Sequence, residues 1–105
     1  MQLSAINDEF RKMRRSGSWM FTAGFRALPD AVQAQFIKAI NDFDDFDTEE
    51  NDPHAEHDFG AIEIDGVRVF WKIDYYNLTM DGLSEDPTDD NKTKRVITIM
   101  LASEY

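Results

Sequence analysis

A chain of 105 residues with a formal net charge of −10 has room for one hydrophobic core, and its charge disfavours direct binding to nucleic acid or to an anionic membrane. It contains no cysteine, which excludes disulfides, thiolate nucleophiles and cysteine-bound zinc or iron–sulfur centres. Eight Phe, three Tyr and two Trp among 42% hydrophobic residues are the composition of a folded domain rather than a disordered tail.

The expectation is a single domain over residues 1–105, in the cytoplasm. Small secreted domains commonly rely on disulfides, and Met1-Gln2-Leu3-Ser4 runs into Asp8 and Glu9 without the apolar core of a secretion signal. No stretch approaches the ~20 apolar residues that cross a bilayer.

In chain order, residues 4 to about 14 read as a helix. Ser4 is the expected N-cap, Asp8 and Glu9 lie near the first turn, and Ile6, Phe10 and Met13 share a face. Arg11, Lys12, Arg14 and Arg15 crowd its C-terminal end, where they suit the helix dipole or can dock an acidic loop of the same molecule or of a second copy. Ser16-Gly17-Ser18 ends the helix.

Trp19 to Thr22 read as a short strand, broken by Gly24. Leu28-Pro29-Asp30 opens a second helix, whose apolar stripe is Val32, Phe36, Ile37, Ile40 and Phe43.

Residues 42–58 form a polar loop, long for a compact domain. A hairpin follows, turning at Asp65-Gly66, a preferred type I′ pair. Folding about that turn pairs Ile64 with Val67, Glu63 with Arg68 and Ile62 with Val69. One face then carries Ile62, Ile64, Val67, Val69, Trp71 and Ile73, and the other Glu63, Arg68, Lys72 and Asp74. The same register, extended, sets His57 opposite Asp74.

A second acidic loop occupies residues 77–92, and a last strand runs from about Lys94 to Ala102. Ile97, Ile99 and Leu101 join the core face, while Val96 and Met100 project to the other side near Phe70. That second face needs cover, from the N-terminal helix or from a second subunit as a homodimer. The order of elements predicts an α+β fold: an antiparallel sheet of three to four strands, ending in a meander, with two helices packed on one face.

Three blocks carry a family resemblance: Asn51 to Gly60 (NDPHAEHDFG), Phe70 to Tyr76 (FWKIDYY) and Leu101 to Tyr105 (LASEY). With Leu28-Pro29 before the second helix, these resemble a bacterial family, domain of unknown function 3768. The resemblance implies a small single-domain protein of bacteria and their mobile elements and brings no activity with it.

Between Asp42 and Asp58 there are nine carboxylates, and no Lys or Arg stands between Lys38 and Arg68. Such self-repulsion lowers stability, and a partner can offset it. Spread along a chain that reaches ~55 Å at most, nine charges fall roughly one per 6 Å. Duplex DNA carries one per ~1.7 Å, so this loop approaches it only with the acids of residues 77–92 beside it.

The expected function is a non-catalytic acidic binding protein, in its sharper form a DNA-mimicking inhibitor of a bacterial defence nuclease complex, of the anti-CRISPR or anti-restriction type. Its partner is a basic protein surface such as a DNA-binding channel. The expected contact residues are Asp44, Asp45, Asp47, Glu49, Glu50 and Asp52, and no cofactor is expected.

The alternative is a metal-binding protein or metal-dependent enzyme. His54, His57 and Asp58, with Asp52 and Glu56 nearby, are the candidate ligands of a divalent metal. The run from Asp42 lacks the central Gly of an EF-hand loop. Lys72, Asp74 and Tyr76 share the polar strand face as an acid–base candidate, for which a paired Lys and Asp on a half-buried strand is the plainer reading. There is no P-loop, dinucleotide fingerprint or nucleophile elbow.

Overall fold

The computed structural model describes residues 1–46 and 56–105. Its elements are α1 (Leu3–Arg11), β1 (Ser18–Phe21), α2 (Ala23–Arg26), α3 (Asp30–Asn41), β2 (Phe59–Ile64), β3 (Val67–Tyr76) and β4 (Lys94–Leu101), closed by a 3-10 turn, Ala102–Glu104. The fold is α+β, as expected. No described helix is long and apolar enough to cross a membrane.

The hairpin forms in the expected register: Ile64 opposes Val67, Glu63 opposes Arg68 and Ile62 opposes Val69. Asp65 and Gly66 take φ of 53° and 80°, the two left-handed residues that a type I′ turn requires. β4 then pairs antiparallel with β3, matching Ile73 to Ile97 and Trp71 to Ile99.

The sheet is mixed rather than antiparallel. Its order is β1-β4-β3-β2, and β1 lies parallel to β4, with Trp19 beside Ile97 and Phe21 beside Ile99. Two helices and a hairpin separate these strands in sequence, so no turn dictates their relative direction. What joins them is burial: Trp19 and Phe21 face the same core as Ile97 and Ile99. Phe21 stacks on Phe25 of α2, ring centres 5.5 Å apart, and Trp19 leans on Phe10 of α1 at 6.3 Å.

Three helices, not two, cover that core face, because Gly24 does not merely break a strand. Thr22 caps the short helix α2 by accepting from Phe25 N. Glu104 holds the same turn from the other end of the chain, accepting from Thr22 Oγ1 at 2.6 Å, Gly24 N at 3.0 Å and Leu101 N at 2.9 Å. These donors, the Thr22 hydroxyl foremost, keep its carboxyl below the ordinary Glu value.

α3 begins after Pro29, with Asp30 in its first turn, and Gln33 donates to the carbonyls of Arg26 and Leu28 to fix the bend. α1 is shorter than expected. Gln2, not Ser4, stands at its N-cap, and Met13 turns left-handed at φ 61°, exposed rather than continuing the Ile6–Phe10 face.

Phe10, Phe25, Phe36 and Ile40 from the helices meet Val69, Trp71, Ile73, Ile97 and Ile99 from the sheet in one core. α1 therefore belongs to this face and does not cover the other. On the second face Phe59, Phe70 and Tyr105 form a ring cluster with centres 5.3–5.9 Å apart.

Gly60 stands opposite Trp71, whose indole lies over it so closely that a Cβ there would sit 2.4 Å from Nε1. Gly60→Ala is expected to displace the Trp71 ring, lower the unfolding free energy by about 1–3 kcal/mol and shift tryptophan emission to the red. Urea titration followed by fluorescence measures both.

Candidate functional site

The two acidic loops leave the core at places organised by α1. Asn7 and Arg11 are four residues apart, share one helix face and are both fully buried. Burial of polar groups is tolerated where their hydrogen bonds are met, and apart from Arg11 Nε these two side chains meet theirs, partly at the bases of the loops.

Arg11 sits where α3 runs into residues 42–46. Its Nη1 donates to the carbonyls of Ile40 (3.1 Å) and Phe43 (2.9 Å), and Nη2 donates to Asp8. The guanidinium carbon lies 5.1 Å from the Phe46 ring centre and 5.0 Å from that of Trp71. Burial lowers the Arg11 pKa, offset in part by the carboxylates of Asp8 and Asp44. An arginine keeps its charge under such a shift.

Asp8 also reaches the other end of the segment. His57 Nδ1 lies 3.0 and 3.1 Å from its two oxygens. The His57 ring is stacked on Phe46, centres 3.9 Å apart and planes 3° from parallel. Phe46 and His57, the last and nearly the first described residues of the acidic segment, thus meet over the Arg11–Asp8 pair.

Asn7 is the second node. Its Nδ2 donates to Glu56 O (3.0 Å) and to Tyr75 Oη (2.8 Å), and its Oδ1 accepts from Arg95 Nη1 (3.2 Å). Tyr75 in turn donates to Asp58 at 3.1 Å. Burial, with Asp58 alongside, pushes the phenol above its ordinary pKa, so it stays a donor. Arg95, 1% exposed, donates to Pro87 O (2.7 Å) and Asp90 (3.3 Å). Arg15 pairs with Asp90 as well. A chain of hydrogen bonds therefore runs from Glu56 in one acidic loop through Asn7 and Arg95 to Pro87 and Asp90 in the other.

The 77–92 loop is built rather than loose. Asn77 and Thr79 donate to Asp81, Thr88 donates to Asp86, Asn91 N donates to Asp89, and Thr93 Oγ1 donates to the Asp86 carbonyl. Hydrogen bonds from Thr79 and Thr88 hold the Asp81 and Asp86 carboxyls below their ordinary pKa. Both stay ionised at neutral pH.

Of the acids expected to contact a partner, Asp44 and Asp45 are exposed at the loop base. Asp47, Glu49, Glu50 and Asp52 lie outside the described residues, as does His54. The other two candidate metal ligands face different partners, His57 towards Asp8 and Asp58 towards Tyr75. Among the described residues no group of three His, Asp or Glu is placed to hold a metal ion.

His57 does not oppose Asp74. It takes φ 57°, which turns the chain before β2 begins, and the β2–β3 register starts at Phe59 opposite Lys72. Lys72 and Asp74 form a half-exposed ion pair at 3.3 Å. The basic end of α1 does dock acidic segments, Arg11 at the first loop's base and Arg15 on Asp90, while Lys12 and Arg14 stay exposed. Sequence reasoning missed Asn7, Tyr75 and Arg95. The available signal was inward parity: Arg95 alternates with Ile97 and Ile99, and Asn7 lies beside Ile6 one turn before Arg11.

Arg11→Leu leaves Asp8 and two carbonyls without their donor and is expected to lower stability by about 3 kcal/mol. Arg11→Lys, which keeps the charge but loses the two-carbonyl fork and the ring contacts, should recover less than half of that. Chemical denaturation of the three proteins measures it.

No curated protein and no solved structure matches the chain. A family model described as a protein of unknown function, DUF3768, matches residues 21–104, from the last residue of β1 to the final 3-10 turn. The match includes Trp71, Tyr75, Arg95 and Glu104, and with four-fifths of the chain covered, the protein belongs to the DUF3768 family.

Proposed function

We propose that this domain is an acidic binding module, non-catalytic, that engages a cationic protein surface. In its specific form it is a DNA-mimicking inhibitor that enters the DNA channel of a bacterial defence nuclease complex in the cytoplasm. The observation that carries this reading is the hydrogen-bond chain Glu56–Asn7–Arg95–Pro87. It joins the Glu56 end of one acidic segment and the Pro87–Asp90 part of the other through a single helix residue, Asn7, which supports reading the two segments together.

Charge density is what a mimic needs. The acids of residues 42–58 alone are sparse beside duplex DNA, and those of residues 77–92 raise the density. The cations that could cancel them are partly turned inward. Arg11 and Arg95 are each 1% exposed and serve carbonyls, Asp8 and Asp90. Among the described residues of the two loops, Asp44, Asp45, Asp81 and Glu85 are exposed, while Lys38 pairs with Asp42, Lys92 with Glu85, and Arg15 and Arg95 with Asp90.

The test is a DNA-binding competition. CRISPR surveillance complexes and restriction enzymes are incubated with target duplex at physiological salt, with and without the protein. Loss of duplex binding to one complex is expected. A variant with four of Asp44, Asp45, Asp47, Glu49, Glu50 and Asp52 changed to Asn or Gln should be weaker by about tenfold or more. Undiminished inhibition by that variant, or no effect on any complex, would contradict the proposal.

A further inference from the structure

The 77–92 loop holds a feature that charge alone does not explain. Leu78, Met80 and Leu83 are 60%, 47% and 79% exposed. Leaving a large apolar side chain in water forfeits about 1.5–3 kcal/mol of burial. Leu78 and Leu83 line one recess of about 370 Å³, together with Asn77, Glu85, Asn91 and Lys92. That volume lies at the lower end of what ligand sites offer.

The recess is held open by its own backbone. Asn77 N donates to Gly82 O, Met80 N to Asn77 O and Ser84 N to Tyr75 O, and Met80 is fixed at φ 62°. Ser84 Oγ and Thr93 Oγ1 lie 2.7 Å apart and tie the middle of the loop to its end. A surface ordered in advance loses little entropy on binding. Buried apolar anchors ringed by charge are how protein interfaces gain affinity.

The charge around the recess selects the occupant. Residues 77–92 carry Asp81, Glu85, Asp86, Asp89 and Asp90 against Lys92. Lys92 pairs with Glu85, and Arg15 and Arg95 with Asp90, which leaves Asp81, Asp86 and Asp89 as the excess negative charge of the loop. A second copy would bring the same excess of negative charge and a whole-molecule charge of −10, so self-association is opposed. A phosphate-binding channel lined with cations alone gives no reason to display leucines.

We propose that the 77–92 loop seats an apolar side chain of a basic, amphipathic protein segment between Leu78 and Leu83, with the surrounding carboxylates meeting that segment's cations. This rests on the reading of the domain as a binder of cationic protein and names the element that makes the contact selective rather than purely electrostatic.

The probes are a labelled amphipathic Lys/Leu helix and an oligolysine of equal charge, titrated into the full chain at physiological salt. Anisotropy and amide NMR shifts are read, alongside sedimentation. The amphipathic peptide is expected to bind about tenfold tighter than oligolysine, a difference of ~1.4 kcal/mol, and to shift the amides of Leu78, Leu83 and Asn91. Leu78→Ser with Leu83→Ser should remove that advantage and leave oligolysine binding unchanged. Both side chains are exposed, so the double variant retains the fold.

Equal affinity for the two peptides would overturn the inference and leave the acidic-surface reading standing. Binding of neither peptide would overturn both. A dimer that the double variant dissolves would overturn it in favour of a second copy as the occupant.

Discussion

Arg11 is a fully buried guanidinium inside an aromatic core, and most of the site geometry depends on how its donors are met. A charge in that position is tolerated only where partners compensate its burial. The Nη groups find them in the Ile40 and Phe43 carbonyls and in Asp8, and the guanidinium lies against the faces of Phe46 and Trp71, while Nε has no hydrogen-bond partner. Those contacts fix where α3 ends, how α1 lies on the sheet and where the acidic segment leaves the core. One turn earlier, Asn7 does the same for the segment's return and for the second loop, through Tyr75 and Arg95.

A chain with this excess of carboxylate would ordinarily hold its loops apart by repulsion. Here two buried arginines and a half-buried one, Arg15, pull the loop bases inward through carbonyls and through Asp8 and Asp90. These three arginines serve the loop bases while many of the acids, and the remaining cations, stay on the surface. The fold thus couples two tasks: the polar network that stabilises α1 against the sheet also leaves a surface dominated by one sign of charge. The 77–92 loop, cross-linked by its own hydrogen bonds, adds exposed leucines to that surface.

The parts legible in the sequence were local. Asp65-Gly66 dictates its turn, and strict alternation from Ile62 to Ile73 dictates which side chains enter the core. Pro29 and the stripe ending at Ile40 and Phe43 place α3. What stayed hidden depends on distant partners. Nothing near Trp19 specifies a parallel neighbour 78 residues away at Ile97. Glu104 reads as a terminal acid until Thr22 and Gly24 are beside it. His57 reads as a strand residue or ligand because a left-handed turn in a histidine has no local signature. The acidic segment stands out in the sequence by its charge, but its anchors do not, since an inward Asn or Arg is visible only once the residues opposite it are known.

We propose that the acids of residues 44–52 serve a partner more than they stabilise the fold. The unfolding free energy of the variant with Asp44, Asp45, Asp47, Glu49, Glu50 and Asp52 changed to amides tests it most directly, measured against the parent chain by urea titration at low and at high salt. The account predicts a variant at least as stable as the parent, with its advantage shrinking as salt screens the parent's repulsion. A variant that is clearly less stable at both salt concentrations would contradict it, because those carboxylates would then be holding the structure together.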